Sequence, residues 1–279
     1  MKEADDSYFD VVIEPKNNVS GYWKEIWNYK SLFYFLAWRD ILVRYKQTAI
    51  GIAWSLLKPL ITLVVFTVIF GLLAKFPSEG VPYPILVFSA LLPWQFFSGS
   101  FSDASNSILA NSNIISKVYF PRLIIPISST VGNMVDFLIS FGILLVMMVI
   151  YGLVPGWRIF MIPFFLLIAL IASLGLSLIV ASINVKYRDF KHLIPIMTQA
   201  GLYISPVGFS SDIVPIKWQF LYSLNPMVGV IDGFRWAIIG QSSTIYFPGL
   251  IISVLFSITL FFLGILYFRK TERKFADFI

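Results

Sequence analysis

Residues 159–184 read IFMIPFFLLIALIASLGLSLIVASIN, 26 consecutive positions without an Asp, Glu, Lys or Arg. An α-helix rises 1.5 Å per residue, so about 20 apolar residues cross the roughly 30 Å hydrocarbon layer of a bilayer. A stretch this long and uncharged is predicted to cross, and in hydrocarbon its backbone groups must pair within the segment, which makes it a helix. Working outward, comparable apolar stretches occupy about 52–74, 85–109 and 123–150 before it and 193–209 and 247–268 after it. The predicted fold class is an all-α polytopic membrane protein with six transmembrane helices. The composition agrees: 58% of residues are hydrophobic and the mean hydropathy is +0.81, which argues against a soluble fold. Six spans with short loops consume the chain, so residues 1–279 are read as a single domain.

The segments between the spans carry their own signals. Residues 1–28 are polar, hold several acids and lack the short apolar core of a secretory signal, so they read as a cytoplasmic tail and the first span as an uncleaved anchor. Over 29–48, Leu32, Phe33, Phe35, Leu36, Ile41, Leu42 and Val43 alternate with Arg39, Asp40, Arg44 and Lys46, the pattern of an amphipathic helix lying in the membrane interface. A simple anchor and a partner-binding element both fit it, and Trp23, Trp27 and Trp38 suit either. Over 206–246, Pro206, Pro215 and Pro226 separate apolar runs too brief to cross, as in short re-entrant or outer-face helices between spans five and six. This region is a candidate outer gate, with Pro215 and Pro226 as breaks and Asp232 and Arg235 three apart on one helical face; a structural cap on the outer surface is the alternative. Residues 269–279 read as a second cytoplasmic tail. Of the 21 Lys and Arg, four (Lys75, Arg158, Lys217, Arg235) fall on the side opposite the tails and the other 17 on the tail side, which places both termini in the cytoplasm.

Several chemistries are disfavoured. There is no Cys and one His, His192, so neither a thiolate metal site nor a histidine cluster is expected, and no catalytic residue is assigned. The net charge of +6 comes from residues flanking the spans, which suits a membrane surface and not nucleic acid. No stretch matches G-x-x-x-x-G-K-[ST], so the chain is expected to bind no nucleotide cofactor and to draw energy from elsewhere. Asp136 falls inside the third span, where a carboxylate costs about 2.5–3.5 kcal/mol to insert. It is read either as a polar group in a conduit or dimer seam, or as a locally satisfied acid. One deep acid is too few for a proton relay.

An ordered set of motifs then narrows the reading. Trp38-Arg39-Asp40-Ile41, Arg44-Tyr45-Lys46-Gln47-Thr48, Gly51-Ile52-Ala53-Trp54 and Lys58-Pro59-Leu60 are followed by Lys117-Val118-Tyr119-Phe120-Pro121-Arg122 and by Asn184-Val185-Lys186-Tyr187-Arg188-Asp189. Leu224-Asn225-Pro226 and Gly233-Phe234-Arg235-Trp236 complete it. In this order the sequence resembles the membrane-spanning permease subunits of polysaccharide ABC exporters, closest to the O-antigen group, with teichoic-acid and capsular polysaccharide exporters as near relatives. The resemblance implies a homodimer of six-helix subunits in the bacterial inner membrane, paired with two copies of a P-loop ATPase that uses ATP and Mg, exporting a lipid-linked polysaccharide. It implies a coupling segment at Asn111–Arg122, with Asn111, Ile114, Ile115, Lys117, Tyr119 and Arg122 as candidate contacts, joined by Arg39 and Arg44; an ordinary basic loop is the plainer reading. Flat aromatic rings suit the C–H faces of sugars, so Tyr34, Trp54, Trp94, Phe97, Tyr203 and Phe209, with Asp136, are candidate path residues. A membrane-embedded transferase acting on lipid-linked sugars would turn over as an isolated subunit, and an ion-coupled carrier would run on a gradient without any ATPase.

Overall fold

The computed structural model describes residues 19–46, 53–76, 80–240, 245–272 and 275, and among them the regular structure is all helical, with no strand. Five helices are long and apolar enough to cross a membrane: Ala53–Leu73, Tyr83–Ala110, Ile124–Ile150, Trp157–Lys186 and Phe247–Glu272. They coincide with five of the six expected spans. In chain order, α1 is Val19–Asn28, α2 Lys30–Lys46, α3 Ala53–Phe66, α4 Tyr83–Ala110 and α5 Ser112–Ile115. Then come α6 Ile124–Ser129, α7 Val131–Ile150, α8 Ile162–Lys186, α9 Leu193–Ile204, α10 Ile216–Tyr222, α11 Pro226–Ile239 and α12 Phe247–Glu272.

The differences from expectation have local causes. The expected span at 193–209 is realised as α9, 12 residues long, about 18 Å at 1.5 Å per residue and short of the roughly 30 Å hydrocarbon layer. It ends because Ser205 is extended (ψ 152°), as the residue before Pro206 is pushed to be. The third span divides into α6 and α7 at Thr130, whose hydroxyl donates to the Ile127 carbonyl at 2.8 Å. The first span closes in a π-helix over Thr67–Leu73, a wide turn in which the Ala74 amide reaches back to the Ile69 carbonyl at 2.9 Å. Residues 19–28 of the expected tail form α1, held by Tyr22 and Ile26 against a hydrophobic cluster. Within the segment 29–48, expected as an interface helix, the structure has a helix at α2, and α12 continues four residues past its expected end at 268. Gln47, Thr48, Gly51 and Ile52 of the motifs, and residues 1–18, 273, 274 and 276–279 of the tails, lie outside the described residues.

The centre is built by α4 and α8, the most enclosed of the long helices, while α3, α7 and α12 keep most of their apolar surface outward. Lipid tails are as apolar as Leu, so packing here depends on close fit and not on water exclusion. Small residues supply that fit: a Cβ at Gly175 of α8 would lie 2.6 Å from the Phe261 amide nitrogen of α12, and one at Gly264 would collide with the Gly175 carbonyl. On the other flank α11 is buried almost all round, with Gly233 admitting the ring of Phe165. Asn225 caps α11 by accepting from the Met227 amide at 3.0 Å, Pro226 fills its first turn, and Gly240 (φ 80°) ends it. A second cluster at the opposite end joins Leu36, Ile115, Phe120, Leu123, Ile265 and Phe268.

Between α9 and α10 the chain is mostly irregular, and its carbonyls are met by side chains. Tyr222 donates to the Ile204 carbonyl (2.9 Å), Arg235 to those of Val207 (3.1 Å) and Phe209 (2.8 Å), and Tyr83 to that of Gly208 (2.7 Å). Backbone outside a helix is tolerated at membrane depth only when it is satisfied in this way or lines water.

Candidate functional site

A cavity of about 720 Å³ opens between α3, α4, α7 and α9, with Arg44 of α2 at its wall. One part of the lining is charged. Arg44 Nη2 donates to Asp103 Oδ2 and Nη1 to Asp136 Oδ2, each at 2.6 Å, and Nη1 also reaches Asn133 Oδ1 at 3.3 Å. Asn133 Nδ2 returns a bond to Asp103 Oδ2 at 2.8 Å. Asp136 Oδ1 accepts from the hydroxyls of Tyr45 (2.6 Å) and Ser55 (2.5 Å). One guanidinium thus links α2, α4 and α7, while Ser55 ties in α3. Two glycines make the room: a Cβ at Gly99 would sit 2.5 Å from Asn133 Oδ1, and one at Gly132 would sit 3.1 Å from Arg44 Nη1.

The electrostatics follow from this geometry. Burial acts against the charge of Arg44, but the carboxylates of Asp103 and Asp136 outweigh it and push its pKa above the ordinary arginine value. Burial, then the hydrogen bond to Asp136, pushes the Tyr45 hydroxyl up to about 12, which keeps it a donor at neutral pH. Asp136 is thereby satisfied locally, its charge compensated at depth.

The rest of the wall is aromatic and neutral-polar. Trp54, Trp94 and Tyr203 line it together with Gln95, Thr198 and Gln199. Trp94 is held by Phe97, with ring centroids 5.5 Å apart, and lies so close to α9 that a Cβ at Gly201 would be 2.6 Å from its ring. Of the candidate path residues, Trp54, Trp94, Asp136 and Tyr203 meet in this cavity. The other three lie elsewhere: Phe97 packs behind Trp94, Tyr34 stacks on Trp38 on the outer face of α2, and Phe209 belongs to the irregular segment held by Arg235.

The candidate coupling residues also divide. Arg39 pairs with Asp40 at 2.7 Å and donates to Asn111 Oδ1 at 2.8 Å, fixing α2 to the corner after α4. Ile115 is buried, Ile114 packs on the same cluster, and Lys117 and Tyr119 face outward. Arg122 is engaged internally, donating to the Glu272 carbonyl with its guanidinium 5.8 Å from the Phe275 ring centre. Arg44, expected beside these residues, instead faces the cavity. Of the candidate gate residues, Pro215 precedes α10, Pro226 opens α11, and Asp232 and Arg235 lie in the buried body of α11.

Tyr45, Ser55, Asp103 and Asn133 were not singled out as site residues from the sequence. A signal for two of them exists: Gln95, Ser98, Ser102, Asp103 and Asn106 recur at helical spacing along the second span, as do Asn133, Asp136 and Ser140 along the third. Polar stripes of this kind mark faces turned from lipid.

Comparison with known proteins agrees with this architecture. A family model described as ABC-2 type transporter matches residues 31–239. The chain is 28% identical over 249 residues to an O-antigen export system permease protein of Klebsiella pneumoniae, covering 86% of this chain and 92% of that one. It is 28% identical over 215 residues to the protein of the same description from Myxococcus xanthus, covering 76% and 82% respectively. A polysialic acid transport protein of Escherichia coli is 23% identical over 248 residues, covering 84% and 91%.

Proposed function

Because the chain belongs to the ABC-2 type transporter family, we propose that it is the membrane-spanning permease subunit of an exporter that moves lipid-linked polysaccharide, of O-antigen type, across the bacterial inner membrane. The observation that carries this reading is the likeness to an O-antigen export permease over 92% of that protein's length. The cavity supports it: indole and phenol rings beside amides and hydroxyls can hold a sugar chain by its C–H faces and hydroxyls without fixing it in place. Capsular polysaccharide is the alternative cargo, favoured by the weaker likeness to the polysialic acid transport protein.

The power stroke comes from a separate P-loop ATPase that binds ATP and Mg in two copies, this chain holding no cofactor and forming a homodimer. In this reading α9 is the fifth of six spans, short because the irregular segment and α10–α11 complete the outer half of the membrane. The distribution of Lys and Arg supports cytoplasmic termini. Outward-facing Lys117 and Tyr119 are the contact offered to the ATPase. Arg39 and Arg122 stiffen that corner by their ties to Asn111 and to the end of α12, so a nucleotide-driven movement reaches α2, α4 and α12 together.

The test is reconstitution of the chain with the P-loop ATPase that co-purifies with it. ATP-driven movement of a lipid-linked glycan is expected, and Lys117→Glu with Tyr119→Ala is expected to weaken complex formation and abolish export. Hydrolysis of ATP by the chain alone, glycosyl transfer by the chain alone, or full export by the double variant would each overturn the proposal.

A further inference from the structure

Resting on the export reading, we infer that the glycan this cavity accepts is an uncharged one. Among the described Lys and Arg, two line the cavity, Arg44 and Lys58. Arg44 is committed: its two terminal nitrogens each meet a carboxylate at 2.6 Å, and one of them also meets the Asn133 side-chain oxygen Oδ1. Those carboxylates, Asp103 and Asp136, line the same cavity, so the Arg44 cluster carries a formal charge of −1 that the exposed Lys58 does no more than balance. With Lys58 counted the wall is formally neutral, and it offers no surplus positive charge to an acidic sugar.

What the wall does offer is matched to hydroxyls. Gln95, Gln199 and Thr198 both donate and accept, as sugar hydroxyls do, and Trp54 and Tyr203 add apolar faces for the C–H sides of the rings. A chain with a carboxylate on every residue would enter this space shedding water from each charge, with Lys58 as the one exposed cation to meet them all. A single carboxylate left short of a partner in place of its water lowers occupancy about tenfold.

The test uses proteoliposomes holding the whole chain with its partner ATPase, and two glycans of matched length on the same undecaprenyl pyrophosphate carrier: a neutral mannan and polysialic acid. The shared carrier cancels the charge of the lipid headgroup. ATP-driven translocation of mannan is expected to exceed that of polysialic acid about tenfold, and Gln95→Lys with Gln199→Lys is expected to narrow the ratio by speeding the polysialic acid. Polysialic acid moving as fast as mannan, or a ratio unmoved by the added lysines, overturns this inference and leaves the export reading standing. Movement of neither glycan overturns both.

Discussion

Removing the guanidinium of Arg44 tests whether the charged cluster is a structural joint. In Arg44→Met two carboxylates that each met a nitrogen of one guanidinium at 2.6 Å are left facing the space it occupied. Breaking a buried pair from one side costs about 3–5 kcal/mol, against about 0–1 kcal/mol at the surface. The side chains here are about a third exposed (31%, 37% and 33% for Arg44, Asp103 and Asp136). Moreover, Asp103 retains the Asn133 amide and Asp136 retains the Tyr45 and Ser55 hydroxyls. The loss is therefore expected near the middle, at about 2 kcal/mol, equivalent to a fall of about 5 °C in the thermal midpoint for a chain of this size. The assay is thermal unfolding of the purified chain in detergent, read by intrinsic tryptophan fluorescence. Neutralising the two acids in the same background, as Arg44→Met with Asp103→Asn and Asp136→Asn, is expected to restore most of the loss, because amides facing one another carry no repulsion. A midpoint unchanged in Arg44→Met, or a triple variant no more stable than the single one, would refute the assignment of the cluster as an ionic joint.

Three further outcomes are expected. Gly264→Leu sets a side chain against the Gly175 carbonyl, where no flexible group can yield, and should separate α8 from α12, seen as loss of folded protein by size-exclusion chromatography; Gly142→Leu, with open space at its Cβ, should not. Tyr45→Phe removes a 2.6 Å bond to Asp136 and should cost about 1–2 kcal/mol. Since the Tyr45 hydroxyl is raised from 10.0 to about 12 in the fold, its contribution should be fully present below pH 10 and lost as pH rises through about 12, so the gap between wild type and Tyr45→Phe is flat from about pH 6 to 9 in pH-resolved melts. Finally, Trp54→Ala removes a half-exposed cavity ring and should slow export about fivefold with little change in melting. Trp94→Ala, by contrast, deletes a buried ring packed on Phe97 and Gly201 and should cost about 3–5 kcal/mol of stability.

Where the physics is local, the sequence is a good guide. The spans expected at 85–109 and 159–184 appear as Tyr83–Ala110 and Trp157–Lys186, because a long apolar run in lipid has one way to satisfy its backbone. The helix expected over 29–48 is legible as well, appearing as Lys30–Lys46 with Leu36 buried. The short α9 is harder to read, since residues 205–209 are apolar enough to prolong a span and only Pro206 interrupts them. The site is harder still. Arg44 meets partners 59 and 92 residues away, and nothing in the spacing of a WRD…RYK motif distinguishes an arginine facing an ATPase from one facing a cavity. Arg122 shows the same limit: its basic loop suggests a surface contact, while its actual partner is the carbonyl of residue 272.

The irregular stretch between α9 and α10 has a consequence for which substitutions the chain tolerates. Tyr83, Tyr222 and Arg235 grip main-chain oxygens at Ile204, Val207, Gly208 and Phe209, and every residue type possesses such an oxygen. At Ile204 and Phe209 the side chains are thus free to diverge among related transporters without undoing the grip, whereas Val207 is held by its burial in the core. The burden of invariance shifts to three distant residues that do the holding, and to Gly208, where a Cβ would press against the Phe70 ring.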